Sequence, residues 1–291
     1  MSSLHVKKIN LTSFHNVLAC YPAIAPEKLR DLDAQRYDVI PSAVSSRNGS
    51  NKYLTKPEVE KLVEWKLKHG TFRPALLGLV QSNTSQAVEE TTKKAFAAIS
   101  DDKCSQSDII HALKILASLK GIGPATSSLL LSVLRPQEIP FFSDELFRWS
   151  CWESEVKAKE SAGWQRKIKY NFKEYEMMFD RVEKLRMRLG KSPDKTPEII
   201  VRAIDIEKVA WVLGKEGKDV GAGEEKGEES QAGDDKKALL KEEETQETKP
   251  DDAKDSKEEV TKGPAKKGTK RKAGSVKTPV EGTRKSTRTK K

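Results

Sequence analysis

Leu119-Lys120-Gly121-Ile122-Gly123-Pro124-Ala125-Thr126 lies between two runs of helical apolar spacing. Upstream, Ile109, Ile110, Leu113, Leu116 and Ala117 recur at that spacing; downstream, Ala125, Leu129, Ser132 and Val133 do, with Leu130 and Leu134 beside them. The pattern reads as helix, very tight turn, helix. Gly121 can take the left-handed conformation that ends the first helix. Ile122, alone between glycines, is expected to point back into the crease between the helices. Gly123 removes a side chain that would hold the backbone away from a ligand. Pro124 presets φ at the first helical position, where a missing N–H costs nothing. The free amides of the second helix then point out of the turn with the helix dipole behind them. That arrangement suits an anion, phosphate first.

Written as LKGIGPATSS, the turn resembles the helix-hairpin-helix of the DNA glycosylase superfamily, whose hairpin has the form L-x-G-[IV]-G-x-x-[TS]-A; Ser127 stands at the usual alanine. The resemblance covers roughly residues 105–150. It implies that the hairpin grips one DNA phosphate through backbone amides, with Lys120, Gly121, Gly123, Ala125 and Thr126 as the DNA-binding residues. It also implies a catalytic aspartate at the start of a later helix, and Asp144 in Ser143-Asp144-Glu145-Leu146-Phe147-Arg148, after Pro140, lies at about that distance. Alignment through Leu-Phe-Arg can instead place Ser143 in the catalytic slot. Strand-cutting members of the family carry a lysine two residues after the second hairpin glycine. Ala125 occupies that position here, and Lys120 lies on the other side of the glycines, so lyase chemistry is not expected.

The rest of the chain reads as helices of ordinary length joined by short loops, with no β-alternation of any length. Glu27, Leu29, Leu32 and Tyr37 after Pro26 suggest one helix closed before Pro41, and 42–51 reads as a loop. Thr55 with Glu58 is a capping box before a helix whose apolar face is Val59, Leu62, Val63 and Leu67, with Trp65 on its flank and Gly70 at its end. Lys56, Lys61, Lys66 and Lys68 read as a solvated face rather than a DNA-facing one. A short apolar segment, Ala75 to Val80, precedes a helix capped by Asn83 or Thr84 and running through Ile99. Ser105 with Asp108 caps the first hairpin helix. Ser143 caps an aromatic-rich helix through Trp152. A long amphipathic helix runs from about Tyr170 to Leu189, and a last one from Ile199 to Leu213 starts at Thr196-Pro197-Glu198.

The sequence has 291 residues with 54 Lys+Arg against 44 Asp+Glu. The charge is unevenly placed. Residues 216–259 carry 17 acidic and 8 basic side chains, whereas 262–291 carry 12 basic and 1 acidic. Residues 1–215 keep a net charge of +8, so the helical part is basic in its own right. The expected organisation is an all-α, glycosylase-like domain over 1–214, an acidic disordered linker over 215–261 and a basic disordered tail over 262–291. Almost no large apolar residue is present in the tail to offset its ordering entropy. Lys266 to Lys272 reads as a nuclear import signal, and the Lys/Arg/Ser/Thr mix after it as a DNA-contacting arm that could also meet chromatin partners.

No run of apolar residues reaches the ~18 needed to read as a membrane span, and no secretory signal is read at the N-terminus. Cys20, Cys104 and Cys151 are odd in number and scattered, which argues for reduced thiols and excludes a C-x₂-C zinc site or a four-cysteine iron–sulfur loop. His5, His15, His69 and His111 lack metal-ligand spacing. No metal and no cofactor are expected. Three functions remain in competition: a nuclear DNA-binding protein with a glycosylase-like hairpin and no lyase lysine; a monofunctional DNA glycosylase of base excision repair using Asp144; and a helical scaffold subunit of a chromatin complex.

Overall fold

A computed structural model describes residues 3–47, 52–71, 73–99, 105–152, 163–191 and 200–221. Contacts divide the chain into a compact unit, Met1–Glu228, and a second unit, Glu229–Lys291, all of which lies outside the described residues. The expected acidic linker, import signal and basic arm therefore fall outside them, apart from residues 215–221. Among the described residues the fold is all-helical, with twelve α-helices and no strand.

The first helices are α1 (Leu11–Ala19), α2 (Tyr21–Ile24), α3 (Arg30–Ala34) and α4 (Ile40–Ser46). The helix expected to close before Pro41 does not close there. A π-helical turn, Gln35–Val39, joins α3 to α4, and Pro41 sits inside the first turn of α4. Proline lacks an N–H and crowds the carbonyl four residues back, and a widened turn just before it relieves both problems. The expected loop likewise starts later, because α4 runs through Ser46; residues 48–51 lie outside the described set.

α5 (Lys56–His69) begins at the full Thr55/Glu58 capping box. Thr55 Oγ1 accepts the Glu58 amide while a Glu58 carboxylate oxygen accepts the Thr55 amide at 2.8 Å. Trp65 is not on a flank but fully buried. α6 (Pro74–Gln81) and α7 (Ser85–Ala97) follow, with Thr84 capping α7. Asn83 does something else. Its Nδ2 donates to the Lys120 carbonyl at 3.0 Å and its Oδ1 accepts the Lys120 amide at 2.9 Å, tying the end of α6 to the hairpin turn.

α8 (Gln106–Leu116) and α9 (Pro124–Ser132) lie on either side of the glycine-containing turn. α9 is buried along its whole length from Ala125 to Ser132. Its serines are compatible with that burial because each hydroxyl returns a hydrogen bond to the helix: Ser127 to Gly123 O, Ser128 to Ala125 O and Ser132 to Leu129 O, at 2.7–2.9 Å. Small side chains also let α5 and α8 pack on it. α10 (Asp144–Ser150) packs against α11 (Phe172–Gly190) and α12 (Ala203–Lys215). α12 starts at Ala203, where the Asp205 carboxylate accepts both the backbone amide and the guanidinium of Arg202; the start expected at Thr196-Pro197-Glu198 and Ile199 lies outside the described residues. The packed chain continues past Gly214: Trp164 Nε1 donates to Lys218 O at 2.8 Å, and Val220 is fully buried.

Candidate functional site

Gly121 has φ +77°, and a Cβ there would meet Leu79 Cβ and Val80 Cγ2 at 3.0 Å, so glycine is needed twice over. Ile122 is buried in the crease. Gly123 is different. Its backbone is extended, and a Cβ there would meet nothing within 4 Å. It is the N-cap of α9 with no side chain to cap the helix, and Pro124 follows in the first turn. The amides of Ala125 and Thr126 are thus left to whatever approaches the open side of Gly123.

That open side is one wall of a cavity of about 180 Å³. Gly121, Gly123, Pro124, Ala125 and Thr126 form this wall. The start of α10 also lines it, through Ser143, Asp144 and Glu145. The end of α5 and the turn after it contribute Lys66, His69, Gly70, Thr71 and Arg73; Phe141, Phe142 and Tyr170 add aromatic surface. The structure therefore brings together four of the hairpin residues expected from sequence and the carboxylate expected after them, well separated along the chain as they are. Lys120 is apart: it is exposed at the turn and does not line the cavity.

Ser143 and Asp144 have distinct places. Ser143 is the N-cap of α10, buried, its Oγ accepting the Leu146 amide at 3.2 Å. Asp144 is the first residue of the helix, its side chain 26% exposed. Its Oδ1 accepts the Tyr170 hydroxyl at 2.7 Å, and Arg148 lies 3.7 Å from Oδ2. Tyr170 holds φ +52°, unusual for a side chain of its size, just before Asn171 caps α11. Burial, with Asp144 alongside, pushes the Tyr170 phenol well up, so it stays a donor to the carboxylate. The Arg73 guanidinium lies over the Tyr170 ring, 5.3 Å from its centre.

Behind the cavity, His69 is stacked between Trp65 and Trp211, with ring centres 4.4 and 4.7 Å away. Burial, with Lys215 and Arg36 nearby, pushes its pKa down to about 3, so the imidazole is neutral. Tyr21 donates to Asp33 at 3.0 Å, which leaves His69 Nε2–H to donate to the Tyr21 oxygen at 3.2 Å. His69 is therefore a wall residue with its proton in use. No group of His, Cys, Asp and Glu among the described residues could hold a metal ion.

Lys66 departs from its expected place. Lys61 and Lys68 lie on the solvent side of α5, both paired with Glu64. Lys66 is four residues after Leu62 and three after Val63, which places it on the buried face. There α5 ends against the cavity. Burial is the main force pushing the Lys66 ammonium down to about 8, with Arg73 adding repulsion and Asp144 opposing it. The register signal is present in the sequence, masked by neighbouring lysines. Arg73 and Tyr170 offer no such signal, since they reach the cavity from turns. No family model matches the chain, and neither does any curated protein or solved structure.

Proposed function

We propose that this protein is a nuclear DNA-binding protein whose hairpin holds one backbone phosphate and whose adjoining cavity receives a single extruded nucleotide. One observation carries the reading: the open N-terminus of α9 and the Asp144 carboxylate face the same cavity. The amides of Ala125 and Thr126 and the dipole of α9 favour an anion at the hairpin wall. The half-buried Tyr170 ring, backed by the buried Phe141 and Phe142, is the aromatic surface against which a base would lie. Nuclear placement rests on the lysine-rich block at Lys266 to Lys272.

Base excision at this site is the second reading, and the Tyr170–Asp144 hydrogen bond favours it. A carboxylate held in place at a cavity wall suits the sugar cation that develops as a glycosidic bond breaks. Ala125 leaves the hairpin without an amine, so this excision would use water as the acceptor. A gel-shift assay with the full chain tests the binding reading: duplex DNA should be retarded, more strongly when it contains an abasic or mismatched position. Failure to bind any duplex would leave only the scaffold reading. A panel of damaged-base duplexes then separates the two DNA readings, since release of a free base is expected only from an enzyme.

A further inference from the structure

We infer that Lys66 is an amine nucleophile that captures the open-chain aldehyde of an abasic deoxyribose as an imine, a chemistry the hairpin lacks at Ala125 and α5 supplies from another wall. The inference rests on the proposal that the cavity admits a DNA sugar. Its grounds are geometric. Lys66 lies on the buried face of α5, lines the cavity and shares it with Asp144 and the hairpin. The other α5 lysines are engaged elsewhere: Lys61 and Lys68 with Glu64, and Lys56 with the Gln81 carbonyl at 2.8 Å. A lysine pushed down to about 8 is neutral far more often near physiological pH than an ordinary lysine. Desolvation beside another cation is an established way to activate such an amine. Lys66 meets both conditions, being half-buried with Arg73 nearby.

The step balances without any further reactant. The neutral amine attacks C1′, the carbonyl π pair moves to oxygen, and the proton lost by nitrogen reaches that oxygen. The carbinolamine then takes up a proton on its hydroxyl and expels water as the nitrogen lone pair forms the C=N bond, leaving an iminium whose N–H proton is returned to give the neutral imine. Amine plus aldehyde becomes imine plus water. Asp144 and Glu145, in the same cavity, are the carboxylates available to relay the protons.

The test is reductive trapping with borohydride, using the full chain and two probes: a duplex with one abasic site, and free 2-deoxyribose 5-phosphate. Hydride converts the imine to a stable secondary amine, and peptide mapping by mass spectrometry locates it. The expected result is an adduct on the peptide containing Lys66, with trapping that rises as pH passes through about 8. Lys66→Arg keeps the charge but forms no such imine, and should reduce trapping at least tenfold while DNA affinity stays within about twofold. Lys61→Ala, on the solvent side of the same helix and outside the cavity, should leave trapping unchanged. If the duplex binds but both probes spare Lys66, or label only lysines in 262–291, the inference is overturned and the DNA-binding reading stands. If the sugar phosphate labels Lys66 but the duplex does not bind, the amine is confirmed and the DNA-binding reading fails.

Discussion

Gly121 and Gly123 stand two residues apart in one turn and answer to different constraints. Gly121 is held by its own fold, through a positive φ and the α6 side chains against it. Gly123 has space around it and an ordinary extended backbone, so nothing inside the chain requires glycine there. Gly123→Asp should therefore fold normally by circular dichroism. It places a carboxylate where a phosphate is proposed to sit, and DNA affinity should fall at least tenfold. A folded variant that binds DNA as well as the wild type would refute phosphate binding at the hairpin. Asp144→Asn is the complementary change. Asparagine keeps the shape and still accepts from Tyr170, but removes the charge a sugar cation needs. If the protein excises bases, excision should fall by orders of magnitude while binding stays or rises; equal excision by the variant would clear Asp144 of any role. The tight glycine turn between α8 and α9 and the helix start at Asp144 are both legible in the sequence because spacing and turn chemistry are local. Tyr170 is not, because its place comes from a left-handed backbone that only the packed chain imposes.

Capping chemistry makes several element starts legible: Thr55, Thr84, Ser105 and Ser143 each accept an amide from the first turn they precede. Such a cap contributes about 1 kcal/mol and depends on neighbours in sequence alone. Sequence and structure part where tertiary packing overrides a local stop signal. Pro41 reads as a terminator, yet the π turn lets the chain continue as α4. Trp65 reads as flanking, yet α5 is covered on that side too, by Tyr37 and Phe141. The last turn of α5 consequently carries a pH sensitivity. His69 titrates near 3 in the fold, below its ordinary 6.5. The unfolded chain therefore takes up the proton first, and stability is whole above about pH 6.5 and declines as pH falls toward 3. The loss is at most about 1.4 kcal/mol per pH unit. Urea unfolding at pH 7 and pH 5 should show the wild type losing about 1–2 kcal/mol more than His69→Gln over that interval. Equal losses would mean that His69 is not held neutral by its aromatic stack.

Arg36, in the π turn, is fully buried and joins three parts of the molecule. It donates to Ser132 of α9 at 2.8 Å and pairs with Glu207 of α12 at 3.5 Å, while Tyr37 donates to Glu207 at 3.1 Å. Removing one partner of a buried pair strands the other charge, so Glu207→Ala should cost about 3–5 kcal/mol in chemical denaturation. A loss below about 1 kcal/mol would mean that this knot does not hold the helices together. None of it is legible in the sequence, where Arg36 and Glu207 are two charged residues among many and 171 positions apart. Composition, by contrast, is legible at the scale of the whole chain, and it motivates the last prediction. The folded part is basic, residues 262–291 add a net +11, and the acidic run between them opposes both. Each cation placed on a phosphate releases a counterion. Deleting 262–291 should therefore weaken non-specific DNA binding and flatten its salt dependence, the log–log slope falling by about 0.9 for every phosphate the tail had neutralised. The acidic run competes with DNA for the same cations. Deleting it should raise affinity, provided the cut spares the packed residues through Val220; removal of 222–259 does so. A basic-tail deletion that leaves the salt slope unchanged would show that the tail does not touch DNA, and the hairpin face would then carry the electrostatics alone.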